Sequence, residues 1–373
     1  MAFDAARQDR FRRLLSRDCR RIFYEATCAL DLPGTKPATA VYRAPMKVLL
    51  TGGSGFLGSW VAEQLAAEGH AVRALVRPAS DKRALEKLPG VEFAPGAVED
   101  RASLTAAVAG VDAVVHVAGI VKARRPADFF AVNTQGTRNL LDAALARGGL
   151  QRFVYVSSLA AMGPSPDGTP VAESAEPHPV THYGRSKLEA ERAVLAASAQ
   201  LPVTVIRPPM IYGPRDRETL AFFTSINNGV LPMMGDGSNT LSVIYVEDCA
   251  AAVVRAVTAA GAPSGKAYFV EDGQVYVWRE ALAEVEAALG KRAFLRVGMP
   301  MPVIKLAAAA SQLWGAVTNT AQMLTLDKVN ELTQQHWVCS GEGARRDLGW
   351  TAKVQWKQGV HNAVGWYREQ GWL

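Results

Sequence analysis

Tyr183 and Lys187 stand four residues apart in Tyr183-Gly184-Arg185-Ser186-Lys187, at the head of a helical pattern. On a helix that spacing puts both side chains on one face. A free tyrosine ionises near pH ~10, too high for ready proton transfer at neutrality. An ammonium alongside favours phenolate, so Lys187 is expected to lower that value. Upstream, the apolar run Phe153-Val154-Tyr155-Val156 ends in Ser157-Ser158. A serine hydroxyl there can donate to a substrate carbonyl oxygen and hold it beside the tyrosine. Each piece alone has a plain alternative, an exposed helix pair or a strand-end turn. Their order behind a nucleotide-binding turn makes them a candidate proton-transfer site.

That turn is Thr51-Gly52-Gly53-Ser54-Gly55-Phe56-Leu57-Gly58, directly after the apolar run Val48-Leu49-Leu50. Gly52, Gly55 and Gly58 fall where a strand bends sharply into a helix. A backbone that turns tightly and approaches a pyrophosphate needs residues without Cβ. The helix expected from Phe56 then aims its free N–H groups and positive dipole end at the phosphates. Gly52, Gly55, Phe56, Leu57 and Gly58 are therefore the expected cofactor contacts of this turn.

Strand patterns near 47–51, 71–76, 91–94, 112–117, 152–157, 203–207 and 267–270 alternate with helical patterns near 56–68, 101–109, 128–147 and 183–199. Such alternation implies parallel pairing and a doubly wound α/β sheet. After residue 208 the alternation fades, broken by Pro208, Pro209, Gly213 and Pro214. The expected organisation is a leader over 1–45, a nucleotide-binding domain over 46–210, and a smaller lobe over 211–373 that sends strands back to the sheet.

The leader holds nine Lys/Arg against five Asp/Glu, so most of the formal charge of +6 sits there. The body gives no reason to invoke nucleic acid. Phe11, Leu14, Leu15, Ile22 and Phe23 fall on one helical face among arginines. That pattern suits either a weak membrane-surface contact or a helix lying on its own domain. Four scattered cysteines, Cys19, Cys28, Cys249 and Cys339, fit a reducing compartment, and a cytoplasmic location is expected. No apolar run is long enough to span a bilayer.

With these motifs in place, the chain resembles the extended short-chain dehydrogenase/reductases over residues 47 to 373. Further segments carry the resemblance: Asp112-Ala113-Val114-Val115-His116-Val117-Ala118, Asn133-Thr134-Gln135-Gly136-Thr137-Arg138-Asn139-Leu140-Leu141 and Arg207-Pro208-Pro209-Met210-Ile211-Tyr212-Gly213-Pro214. Within the family it looks closest to the 3β-hydroxysteroid dehydrogenase and dihydroflavonol reductase branch. The resemblance implies a Rossmann-type domain, a C-terminal substrate lobe, and hydride transfer with a nicotinamide. It assigns Ser158, Tyr183 and Lys187 as the catalytic set, with Tyr183 as acid/base and Lys187 on the nicotinamide ribose. It also implies backbone contacts from Ala118 and Pro208, a supporting role for Asn133, and a structural His116 rather than a metal ligand. His178 and His182 read as loop residues. A homodimer is allowed.

Three departures refine the expectation. The second strand ends in Val76-Arg77 where an acid would mark NAD, and a guanidinium suits a 2′-phosphate. NADP(H) is thus favoured, with NAD(H) open. In Gly96-Ala97-Val98 an alanine replaces an aspartate often found near the adenine, leaving Val98 as the expected contact. Leu241 stands where nucleotide-sugar epimerases carry an arginine for the substrate phosphate. Met299, Met301, Val303, Ile304, Leu306, Leu313, Trp314, Val317, Met323 and Leu324 make the C-terminal lobe apolar. The expected activity is alcohol–ketone interconversion on an apolar small molecule, sterol-like, polycyclic or isoprenoid. The rivals are a nucleotide-sugar epimerase or dehydratase and a non-catalytic redox-sensing protein.

Overall fold

The computed structural model describes residues 44–299, 301–318 and 325–373. The expected basic helix and linker of the leader, Cys19 and Cys28, and Met323 and Leu324 lie outside the described residues. So do the side chains of Met299, Met301, Val303, Leu313, Trp314 and Val317.

Strands and helices alternate from the start. β1 (Lys47–Thr51) leads to α1 (Phe56–Ala67), β2 (Ala71–Val76), β3 (Val91–Pro95), α2 (Arg101–Val108) and β4 (Ala113–His116). A short α3 (Pro126–Phe129) passes through a π-helical stretch, Phe130–Gln135, into α4 (Gly136–Arg147). Then come β5 (Arg152–Val156), a 3-10 turn at Leu159–Ala161, α5 (His182–Ala196) and β6 (Val203–Arg207). The lobe contributes β7 (Met210–Tyr212), α6 (Leu220–Asn227), β8 (Val230–Met234), β9 (Thr240–Leu241) and β10 (Val243–Tyr245). α7 (Val246–Thr258) and β11 (Lys266–Phe269) return to the main sheet. β12 (Tyr276–Val277), α8 (Trp278–Leu289), β13 (Leu295–Met299), α9 (Met301–Thr318), α10 (Leu326–Leu332), β14 (His336–Trp337) and α11 (Trp356–Glu369) complete the described chain.

The seven-stranded sheet runs β11-β6-β5-β4-β1-β2-β3, every pair parallel. Both of its faces are covered, as parallel sheets require. Val48 and Leu50 of β1 join Val61 and Leu65 of α1 and Val253 of α7 on one face. Leu49 points the other way, to Leu104 of α2, Leu140 of α4 and Val194 of α5. This period-two split is the reason for the apolar runs in the sequence. The chain steps from β1 out to β3, then crosses back to place β4 on the other side of β1. Ligands of such sheets bind in the crevice opened at the carboxyl ends of those two strands.

The lobe is built from small sheets, β10-β7, β12-β9-β14 and β13-β8. An aromatic core that includes Tyr212, Phe223, Trp278, Trp356 and Tyr367 holds it. Among the described residues no helix is long and apolar enough to cross a membrane.

Candidate active site

At the carboxyl edge of β1 and β4 lies a cleft of about 530 Å³. Gly52, Gly55, Phe56, Leu57 and Gly58 form one wall. Gly52 adopts φ +74°, and a Cβ there would lie 2.6 Å from the Ala118 nitrogen. A Cβ on Gly58 would lie 2.1 Å from the Gly52 carbonyl oxygen. The turn is thus compressed to backbone thickness between the end of β4 and α1. No side chain caps α1, whose N-cap is Gly55, and no acid occupies its first turn. Its free N–H groups therefore remain available to an anion.

Arg77, Val98, Ala118, Ser158, Tyr183, Lys187 and Pro208 line the same cleft. Arg77 is exposed at the end of β2, beside Ser80, and among the described residues no carboxylate pairs with it. Val98 is buried, and its carbonyl accepts from Asn139 Nδ2 at 3.1 Å.

Asn133 does not line the cleft. It sits behind it, on the π-helical stretch, clamping the loop after β4: Oδ1 accepts from the Ile120 amide at 2.8 Å and Nδ2 donates to the Ile120 carbonyl at 3.0 Å. Nδ2 also lies 3.0 Å from Ser186 Oγ. Asn133 thus couples that loop to α5.

α5 carries both Tyr183 and Lys187. Thr181 caps it by accepting from the Gly184 amide at 3.0 Å. His182 is its first helical residue rather than part of the preceding loop. Its amide donates to the carboxylate of Asp327 on α10, at 2.9 and 3.2 Å. A Cβ on Gly184 would lie 2.2 Å from the Ala160 carbonyl oxygen. Only glycine lets the helix press this closely on the turn that follows Ser158. Sequence reasoning passed over Gly184, although its place between the two functional side chains was the available signal.

Burial pushes the Tyr183 phenol up to about 12, while a hydrogen bond with the Ser158 hydroxyl pulls it down and Glu331 pushes it up. Lys187 does not act on it as expected. Its ammonium points instead to the carbonyl at the end of β5, donating to Val156 O at 2.6 Å, and lies 4.5 Å from the Tyr155 ring centroid. Burial lowers Lys187 to about 7, opposed by Glu191 one turn on. Ser157 is also buried, with its hydroxyl unpaired.

Glu191 and Arg207 form a buried ion pair. Arg207 Nε lies 3.2 and 3.1 Å from the two carboxylate oxygens, and a terminal guanidinium nitrogen makes a third bond. Arg207 also donates to the Glu173 carbonyl at 3.3 Å and lies over the Phe269 ring.

His116 is fully buried, and its surroundings explain it. Thr137 donates its hydroxyl to the Asn133 carbonyl, so it accepts from His116 Nε2 at 2.8 Å. Nδ1 then accepts from Thr51 Oγ1 at 2.6 Å. Burial and Lys187 hold the ring neutral, at about 3. The ring is a strut between β1, β4 and α4. Among the described residues no group of three His, Cys, Asp or Glu could hold a metal. Cys249 and Cys339 are buried free thiols.

Leu241 does not line the cleft. On β9 it packs against the aromatic core of the lobe, paired with Tyr276 and Trp337. Apolar residues that line the cleft include Ile120, Val121, Pro209, Met210 and Ile211. Lys122 reaches over from the loop after β4 to Glu218, 2.9 Å away, and Glu218 itself lines the cleft.

Residues 48–270 match the NAD dependent epimerase/dehydratase family. The chain belongs to that family. It is similar to a ceramide reductase of Caulobacter vibrioides, 34% identical, across 87% of this chain and 96% of the relative. It is also similar to a 2-alkyl-3-oxoalkanoate reductase of Stenotrophomonas maltophilia, 32% identical, across 84% and 97%. Among solved structures, a dTDP-glucose 4,6-dehydratase of Streptomyces venezuelae with NAD bound superposes at a TM-score of 0.71, 26% identical, over 88% of this chain and 98% of that one. The chain is an NAD(P)-dependent oxidoreductase of the extended short-chain dehydrogenase/reductase type. A family member needs a phosphate cradle without side chains, and the uncapped N-terminus of α1, behind a turn whose glycines pack on backbone, fits that need.

Glu191→Gln should separate the two effects of the buried pair. Removing one partner of such a pair costs about 3–5 kcal/mol of stability, read by denaturant titration. It also removes the carboxylate that raises Lys187, which lowers Lys187 further. An anionic cofactor favours the ammonium form. Affinity for NAD(P)H should therefore be greatest below the Lys187 value of about 7 and weaken as pH rises through it. In the variant the weakening should begin at lower pH, measured by fluorescence titration. An unchanged pH profile would confine Glu191 to stability.

Proposed function

We propose that the chain reduces a ketone on an apolar small molecule to a secondary alcohol, with NADP(H) preferred and Ser158, Tyr183 and Lys187 as the catalytic set. The observation that carries this reading is that Ser158, Tyr183 and Lys187 line one cleft with the glycine turn, with Lys187 one turn along the same helix as Tyr183. When bound, the nicotinamide supplies the hydride for the carbonyl carbon. Tyr183, kept protonated by burial, gives its proton to the carbonyl oxygen. Ser158 donates to that oxygen and fixes its position. Lys187, in its ammonium form, would hold the ribose hydroxyls. Hydride and proton together convert the carbonyl to an alcohol, so the step balances.

Three observations support the apolar substrate. The cleft lining includes Ile120, Val121, Met210 and Ile211. The two relatives are named for a lipid and for an alkyl-bearing oxo acid. The lobe beyond the cleft is rich in aliphatic residues. The nucleotide-sugar reading draws on the dehydratase of similar fold, whose structure holds a nucleotide besides NAD. Arg77, exposed and unpaired at the end of β2, supports NADP(H).

Oxidation of NADPH should be measurable with at least one bulky apolar ketone from a panel of alkyl, isoprenoid and polycyclic compounds. Tyr183→Phe should cut that turnover by at least ~10²-fold while leaving NADPH affinity nearly intact. Near-normal turnover in this variant would sink the assignment of the acid. Calorimetric binding of UDP-glucose or a dTDP-sugar to the unmodified protein would move the substrate to the nucleotide sugars.

Arg77→Asp replaces a phosphate clamp with an acceptor for a 2′-hydroxyl and adds repulsion against the phosphate. The ratio of kcat/KM for NADPH over NADH should fall at least about tenfold. A constant ratio would show that Arg77 does not meet the ribose.

A further inference from the structure

A surface helix ordinarily turns charged residues to water. α9 does not. From Met301 to Thr318 its one charged residue is Lys305. Ile304 and Ala308 face inward, onto Val329 of α10. Outward, Leu306 is 72% exposed, and Ala307, Ala309 and Ala310 are exposed with it. Just before α9 the chain reads Lys291-Arg292-Ala293-Phe294-Leu295-Arg296. Phe294 is 84% exposed and Leu295 49%, and Lys291, Arg292 and Arg296 are exposed around them. From Lys291 to Leu326 the sequence has four cations and no acid.

Leucine, alanine and phenylalanine facing out beside Lys291, Arg292 and Lys305 match what the headgroup region of an anionic bilayer accepts; the fourth cation, Arg296, pairs with Glu286 at 3.3 Å. We propose that the outer face of α9, together with Phe294 and Leu295, docks this protein on an anionic membrane surface. The helix lies on the bilayer; no described helix is long and apolar enough to cross it. A second copy of the chain fits this face less well. A two-fold contact sets the same patch against itself, so the cations would meet cations.

The docking face connects to the active site. α10, packed under α9, reaches the head of α5 through the Asp327 carboxylate on the His182 amide, one residue from Tyr183. A second cleft of about 490 Å³, lined by Lys305, Gln312, Leu326, Val329 and His182, opens between these helices. If the proposed reaction holds, an apolar ketone reaches Tyr183 from the bilayer rather than from water. The docking does not depend on that reaction, because vesicle binding is read without turnover.

The test is co-sedimentation of the full chain with phosphatidylcholine vesicles, with and without phosphatidylglycerol. Binding is expected to the anionic vesicles and should weaken as salt is raised. Phe294→Ser with Leu306→Ser, and separately Arg292→Glu with Lys305→Glu, should each reduce partitioning at least about tenfold. Melting temperature and NADPH affinity should stay at parental values in both. Undiminished vesicle binding in both variants would overturn the proposal and place any membrane contact elsewhere, the basic leader included. Absence of binding by the parent, or a parental dimer that the serine variant dissociates in light scattering, would overturn it too.

Discussion

Arg207 and Glu191 meet in the interior, almost fully removed from water, where β6 ends and α5 passes behind it. Isolating either charge there would cost several kcal/mol, so each is held where the other is. Arg207 immediately precedes Pro208 and Pro209, which line the cleft. Glu191 lies one helical turn beyond Lys187. The pair therefore ties the loop on one side of the cleft to the helix that brings Tyr183 and Lys187 to the other. Contacts of Arg207 with the Phe269 ring and the Glu173 carbonyl extend the tie to the sheet edge and to the loop before α5. At the head of the helix, the approach of Gly184 to Ala160 fixes the remaining distance, between tyrosine and serine.

Much of this was legible in the sequence because it depends on local rules. The seven sheet strands lie close to their expected positions, since buried parallel strands must be continuous apolar runs. The glycine turn was legible because its residues answer to one strand-to-helix bend. Groups that meet across elements were not. Nothing in the chain announces that Glu191 pairs with Arg207, sixteen positions away on a different element. Lys187 reads as a neighbour of Tyr183, yet its ammonium finds the carbonyl at the end of β5, a partner of no particular residue type. Asn133 reads as a supporting position, and what it joins, a loop to a helix, is visible only in the fold. Leu241 reads as a substrate-facing position, but the short β9 turns it into the aromatic core of the lobe.

Burial displaces the two ionisable groups of the site in opposite directions on the pH scale and to the same end. Tyr183 is pushed up and Lys187 down, each toward its uncharged form. Desolvation dominates both, and the specific partners act as corrections. A site of this kind holds little charge until an anionic ligand arrives, and Glu191 is the built-in charge that keeps the lysine within reach of protonation. The same sheet supports a sugar-nucleotide dehydratase of similar fold, so the fold alone does not set the substrate, and the described segments after β11 contribute no lining to the cofactor cleft.

Those later segments are lightly attached. Among the described residues α9 and α10 share a core of Ile304, Ala308 and Val329, and α10 reaches α5 through the Asp327 carboxylate, which meets the His182 amide and lies 3.8 Å from Arg185. The stretch from Lys291 to Asn330 contributes no residue to the seven-stranded sheet. Its residues can be exchanged without disturbing the strands that shape the nucleotide crevice or the ion pair behind it. The architecture thus separates the parallel sheet that shapes the crevice from the helices that brace the head of α5.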